Sequence, residues 1–191
     1  LCTARTTMAY HHDGAFAEYV RIPAQAVAQR QVYRVPDHVP SHHAAICEPL
    51  GCVLNAHNRL NIGFRDCVAV IGAGPIGIMH AMAARARGAR QVLMLETSPD
   101  RLELARKFDV DGAIRVDGTA HHDQVLAATD DEGPSVVIVA CGVGAAQADA
   151  LVLAGKGARV EFFGGLPKSN PFATLDTNQI HYKELLISGS Y

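Results

Sequence analysis

The chain has 191 residues, 49% of them hydrophobic and 19% charged, with a formal net charge of -2. This length holds one full domain, or one domain and part of another, with a core of useful size. The apolar content excludes disorder, the near-neutral charge gives no sign of a nucleic-acid or anionic-membrane partner, and no apolar run reaches the length of a membrane span.

The chain opens on Leu1, and residues 1–13 show neither helical nor strand period; they read as the tail of something begun earlier, so a fragment is expected. No secretory leader is read there. Five cysteines (Cys2, Cys47, Cys52, Cys67 and Cys141), an odd number, point to a reducing, cytoplasmic setting.

Residues 14–36 alternate β-prone pieces (FAEYVRI, QVYRV) with Pro and Gln, predicting strands of a small β domain. Residues 41–60 predict a helix with Ser41 as N-cap and Ala44, Ala45, Leu50, Val53 and Leu54 near helical spacing. Pro49 predicts an end or a kink inside it. From Asp66 onward apolar strands are predicted at 67–71, 91–96, 113–116, 136–140, 159–163 and 185–189. Helices are predicted near 76–87, 99–108, 121–128 and 145–154. Continuous apolar strands alternating with helices predict an α/β fold, a parallel sheet covered on both faces.

The strongest local signal is VAVIGAGPIG at 68–77. Gly72, Gly74 and Gly77 form G-x-G-x-x-G between a strand and a helix whose apolar stripe is read at Ile76, Met79, Ala83 and Ala86. The glycines suit a tight turn, a close approach of backbone to a pyrophosphate, and close helix–strand packing; the helix opening at Pro75 and Ile76 offers free N–H groups to phosphate. The second strand ends in Glu96, where a carboxylate accepts the ribose hydroxyls of a dinucleotide. A carboxylate there disfavours a 2′-phosphate, so NAD is expected over NADP. The next cation is Arg101, in a helix that Ser98 caps and Pro99 starts.

With this loop in place, the chain resembles the zinc-dependent medium-chain dehydrogenases, nearest the polyol (sorbitol-type) and threonine dehydrogenase branches. The matching stretches are DGAFAEYVRIP, RVPDHVP, CEPLG, VAVIGAGPIG, ETSPDRLELARKFDVD and HYKELLISGSY, in family order across almost the whole chain. The resemblance implies the C-terminal part of a GroES-like catalytic domain (1–45) followed by a doubly wound Rossmann domain (46–191, with 46–62 a connecting helix). It implies that a zinc-binding Cys, a Gly-His-Glu motif and most of a four-cysteine zinc lobe lie upstream, and that a closing segment follows Tyr191. It places Glu48 at the catalytic zinc, directly or through water, and Cys2 as the last structural-zinc cysteine. It places cofactor contacts at Cys141 and Gly142 after the fourth strand, near Gly164 and Leu166, and at Ser190. Where the family often has His, this chain has Asn55, with His57 two residues on.

Beyond these positions, Cys47, Cys52 and Cys67 read as core residues. The adjacent pairs His11–His12, His42–His43 and His121–His122 are not expected to chelate a metal, since neighbours on a helix or strand point apart. The function expected is NAD-dependent, zinc-assisted oxidation of a secondary alcohol, a sugar alcohol or related polyol. The alternatives are a threonine-like amino-alcohol dehydrogenase and a non-catalytic, zinc-less NAD-binding homologue. The apolar last strand, LLISG, is an edge that predicts a homodimer or homotetramer.

Overall fold

A computed structural model describes residues 3–190, so Cys2 and its structural-zinc expectation lie outside the described residues. The chain divides into two compact units, residues 1–45 and 46–191. No described residue of the first unit is buried. It contains helix α1 (Ala24–Ala28), helix α2 (Ser41–Ala44) and an isolated bridge between Met8 and His12. The strands expected in FAEYVRI and QVYRV do not form among these residues. An extended segment becomes a strand only when its N–H and C=O groups find a ladder partner, and here Phe16, Tyr19 and Tyr33 stand in solvent.

The second unit opens with helix α3 (Cys47–Leu60). Its inward face is Val53, Ala56, His57 and Leu60, the i, i+3, i+4, i+7 stripe of a one-sided helix. Three expectations fail here. Ser41 does not cap: Pro40, extended at ψ 141°, precedes α2, and Ser41 is its first residue. The helix expected over 41–60 is two, α2 and α3, parted at Ala45 and Ile46 just ahead of Pro49; the break falls earlier than expected, and Pro49 itself sits in the first turn of α3, where its missing N–H has no intrahelical acceptor to lose. Cys47 is exposed and Cys52 only half-buried, being off the inward stripe; Cys67 alone of the three is in the core, where burial pushes its thiol up to about 11.

After α3 the alternation is regular. Strands β1 (Cys67–Ile71), β2 (Gln91–Glu96), β3 (Gly112–Arg115), β4 (Val136–Val139), β5 (Arg159–Phe162) and β6 (Leu186–Ser188) alternate with helices α4 (Pro75–Ala86), α5 (Pro99–Ala105), α6 (Ala120–Ala128), α7 (Gly144–Leu153) and α8 (Thr177–Tyr182). The strands form one sheet in the order β3-β2-β1-β4-β5-β6, every pairing parallel. This is the doubly wound order, reversing between β1 and β4. Val68 pairs with Val92 on one side and Val136 on the other, which fixes the register of the three central strands. Alternate side chains feed two cores: Ala69, Leu93, Val137 and Val160 on one face, Val70, Met94 and Ile138 on the other.

The inward face of α4 is shifted from the expected stripe. Of that stripe Ala83 is buried, together with Gly77, Ile78, His80, Ala81 and Ala84, while Ile76 and Met79 are half-buried and Ala86 exposed. The helix is so rich in small apolar residues that several faces look equivalent in sequence. Its core face carries a fully buried imidazole, His80, stacked on His57 of α3 with Nε2 of His57 3.1 Å from Nδ1 of His80. Phe163 meets His80 edge-on. Burial, with the Arg87 charge, lowers His57 to about 4; burial, with His57 beside it, lowers His80 to about 3.

Candidate cofactor cleft

The carboxyl ends of β1 and β4 diverge at the reversal of strand order, and a cleft of about 430 Å³ opens there. Gly72 leaves β1 at φ +106°, a conformation that favours glycine. A Cβ on Gly77 would stand 1.8 Å from the Gly72 carbonyl oxygen, so only glycine lets α4 pack this close to the loop. Gly74 is the N-cap of α4, with open space where its Cβ would be. No side chain caps the helix, and Pro75 takes its first position, so the N–H groups of the first turn remain available to an anion. Ile76 is half-buried in that turn.

Glu96 ends β2 and is 8% exposed. Its Oε2 accepts the Ala73 N–H at 2.9 Å, and its Oε1 accepts the N–H groups of Thr97 at 2.8 Å and Ser98 at 3.0 Å and the Thr97 hydroxyl at 3.0 Å. Burial pushes this carboxyl up, but these hydrogen bonds outweigh it and hold it below the ordinary glutamate value. Glu96 therefore tethers the glycine loop as well as lining the cleft, a role the sequence reading missed. Oε2, with one acceptor site used, retains capacity for a hydroxyl.

Arg101 also lines the cleft, exposed on α5, whose N-cap Ser98 accepts the Arg101 N–H at 3.5 Å. Cys141 lines the opposite wall; burial raises its thiol, with Glu96 adding to the rise and a Val143 backbone hydrogen bond opposing it. Gly142 and Leu166 line an adjoining cavity of about 510 Å³ that shares Val143 and Ala145 with the first. Gly164 brings the end of β5 against the end of β4: a Cβ there would lie 2.4 Å from the Cys141 carbonyl. The Ser190 hydroxyl, beyond β6, is buried without a hydrogen-bond partner. The cleft also takes in Thr97, Val116, Gly118, His121 and Asp149, none of which the sequence reading placed at the cofactor. Thr97, Val116 and Gly118 follow strand ends, and that placement was the available signal.

Glu48 stands apart from this set, exposed in the first turn of α3. One turn on, the Cys52 thiol donates to Glu48 Oε1 at 3.8 Å. Burial raises the Cys52 thiol and the Glu48 charge raises it further, so it stays protonated. Glu48 and Cys52 supply two donors at most, whereas a catalytic zinc takes three protein ligands. These residues do not make a zinc site by themselves. Asn55 is exposed, and His57 turns inward to His80, so His57 does not substitute for an outward-facing histidine.

Residues 75–191 match the family model described as zinc-binding dehydrogenase. The chain belongs to the zinc-binding dehydrogenase family. It is 34% identical over 194 residues to the L-threonine 3-dehydrogenase of Anaeromyxobacter dehalogenans, covering 100% of this chain and 53% of that protein. It is 33% identical over 191 residues to the one from Idiomarina loihiensis, again covering 100% and 53%. Among solved structures, a putative zinc-binding dehydrogenase from Sinorhizobium meliloti bound to NADP superposes with a TM-score of 0.86 at 30% identity, covering 100% of this chain and 55% of that one. An alcohol dehydrogenase from Escherichia coli complexed with NADH gives 0.85 at 27%, covering 99% and 53%. The chain spans about half the length of the curated relatives it matches.

Proposed function

We propose that this chain is the dinucleotide-binding half of an NAD-dependent dehydrogenase that oxidises a secondary alcohol, a sugar alcohol or related polyol, by hydride transfer. The observation that carries the reading is the Gly72–Gly77 loop, with the open first turn of α4 on one side and Glu96 on the other. The α4 N-terminus receives the pyrophosphate, Glu96 the adenosine ribose, and the cavity at Gly142 and Leu166 the nicotinamide end. The carboxyl of Glu96, held below its ordinary value, stays ionised at neutral pH and repels a 2′-phosphate. NADH and NADP complexes among the similar structures support a dinucleotide as the ligand class.

On this reading residues 1–45 are part of a GroES-like catalytic domain. Zinc assistance in the whole protein requires ligands besides Glu48, so the 191-residue chain alone should bind the dinucleotide and turn over no alcohol. Cys52, Cys67 and Cys141 carry reduced thiols, which supports a reducing, cytoplasmic setting. The exposed apolar edge strand, with Leu186 at 67% exposure, supports a homodimer or homotetramer joined through β6.

A second reading, an amino-alcohol substrate, is favoured by the threonine dehydrogenases among the relatives. Following NADH formation by the whole protein against a panel of polyols and L-threonine tests both. Polyol turnover is expected. Turnover of L-threonine above every polyol replaces the first reading with the second, and no turnover of any alcohol leaves a non-catalytic dinucleotide-binding homologue.

A further inference from the structure

We propose that His121, His122 and Asp149 bind a single divalent transition-metal ion of the zinc class on the wall of the cofactor cleft. The two histidines occupy the first turn of α6, and Asp149 projects from α7. Helical neighbours point apart as a rule, yet these two converge because one carboxylate sits astride them. His121 Nε2 lies 2.7 Å from Asp149 Oδ2, and His122 Nε2 lies 2.5 Å from Asp149 Oδ1. The rings stand edge to face with centroids 4.4 Å apart. The candidate ligand atoms all lie within 4.8 Å of one another, and this is the only such group of three among the described residues.

Two imidazoles and a carboxylate are the donor set of an open zinc site, neutral nitrogen and anionic oxygen with a position left for water. Zinc–ligand bonds of about 2.0–2.1 Å space tetrahedral ligands roughly 3.4 Å apart. Each Nε2–carboxylate contact then has to open by less than about 1 Å, which rotamer adjustments supply. The ion replaces the Nε2 protons, which go to solvent. Burial favours a fixed geometry: the His121 side chain is 2% exposed, His122 23% and Asp149 18%. His121 and Asp149 also line the cleft, so the remaining coordination position has access from it. A bound ion ties α6 to α7 and stabilises the folded chain by mass action.

The test is a titration of the chelator-stripped 191-residue chain with Co²⁺ and Zn²⁺ at neutral pH. The expected result is one equivalent of ion per chain, visible cobalt bands of a nitrogen–oxygen site without a thiolate charge-transfer band, and a metal-dependent rise in melting temperature. His122→Gln and Asp149→Asn, at partly exposed positions, should keep the fold by circular dichroism and each weaken binding at least about tenfold. Changing both His11 and His12 to Gln should leave the titration unchanged. Affinity unaltered in the His122 and Asp149 variants overturns the proposal. So does a thiolate charge-transfer band, which would put the ion on a cysteine, or failure to take up one equivalent.

Discussion

Glu96 at the end of β2 accepts the Ala73 N–H across the sheet at 2.9 Å, joining the second strand to the glycine loop that leaves the first. The same carboxylate takes three more donors from Thr97 and Ser98. The group that the sequence assigns to ribose recognition thus also fixes the loop proposed to receive phosphate.

Glu96→Ala should therefore do two things. It should weaken NADH binding by about tenfold or more and relax discrimination against NADP. It should also lower stability by about 1–3 kcal/mol, because the N–H groups of Ala73, Thr97 and Ser98 lose their acceptor. Chemical denaturation alongside calorimetric titration separates the two. A variant as stable as the parent would contradict the tether.

Gly77→Ala tests the helix–loop contact. A methyl group 1.8 Å from the Gly72 carbonyl oxygen cannot be accommodated without moving backbone. A loss of about 1–3 kcal/mol is expected from overpacking, with dinucleotide binding reduced further because the loop is displaced. Thermal melting and a parallel NADH titration check it, and an unchanged melting temperature would count against the close packing.

The His57–His80 pair gives a pH dependence of known sign. Both histidines are neutral in the folded chain down to about 4 and 3, against an ordinary value of 6.5. Below about 6.5 the unfolded chain takes up protons that the folded chain refuses, so stability falls as pH falls, by up to about 1.4 kcal/mol per pH unit for each histidine. Glu96 acts in the same direction but lower, since its stabilisation is present above the ordinary glutamate value and is lost as pH falls through its depressed folded value. Denaturation midpoints between pH 6.5 and 4.5 should show the histidine slope, and replacing His57 and His80 together by Leu should flatten it. A slope unchanged in that double variant would contradict the assignment.

The sheet was legible because its strands are continuous apolar runs: β1 and β2 fall at the expected residues. The glycine loop and Glu96 were legible for a related reason, since a tight turn and a strand end leave local marks. Helix α8 carries the polar sequence TNQIHY and no periodic stripe, so nothing announced it. The His57–His80 stack joins residues 23 apart on two helices, a pairing that no local spacing marks. The convergence of His121 and His122 depends on Asp149, which local sequence does not bring near them. The segments expected as strands in residues 14–36 have the right composition but no ladder partners among the described residues.

If assembly runs through β6, a charge on its exposed edge should block it. Leu186→Lys is expected to convert the whole protein to a smaller species with the fold retained, measured by light scattering and circular dichroism. An unchanged mass would remove β6 from the interface.

The central claim is that these 191 residues hold a dinucleotide site that prefers NAD. Calorimetric titration of this chain with NADH and NADPH tests it most directly. Saturable binding of one NADH per chain, tighter than NADPH, is expected. No saturable binding of either dinucleotide, or tighter binding of NADPH, would contradict it.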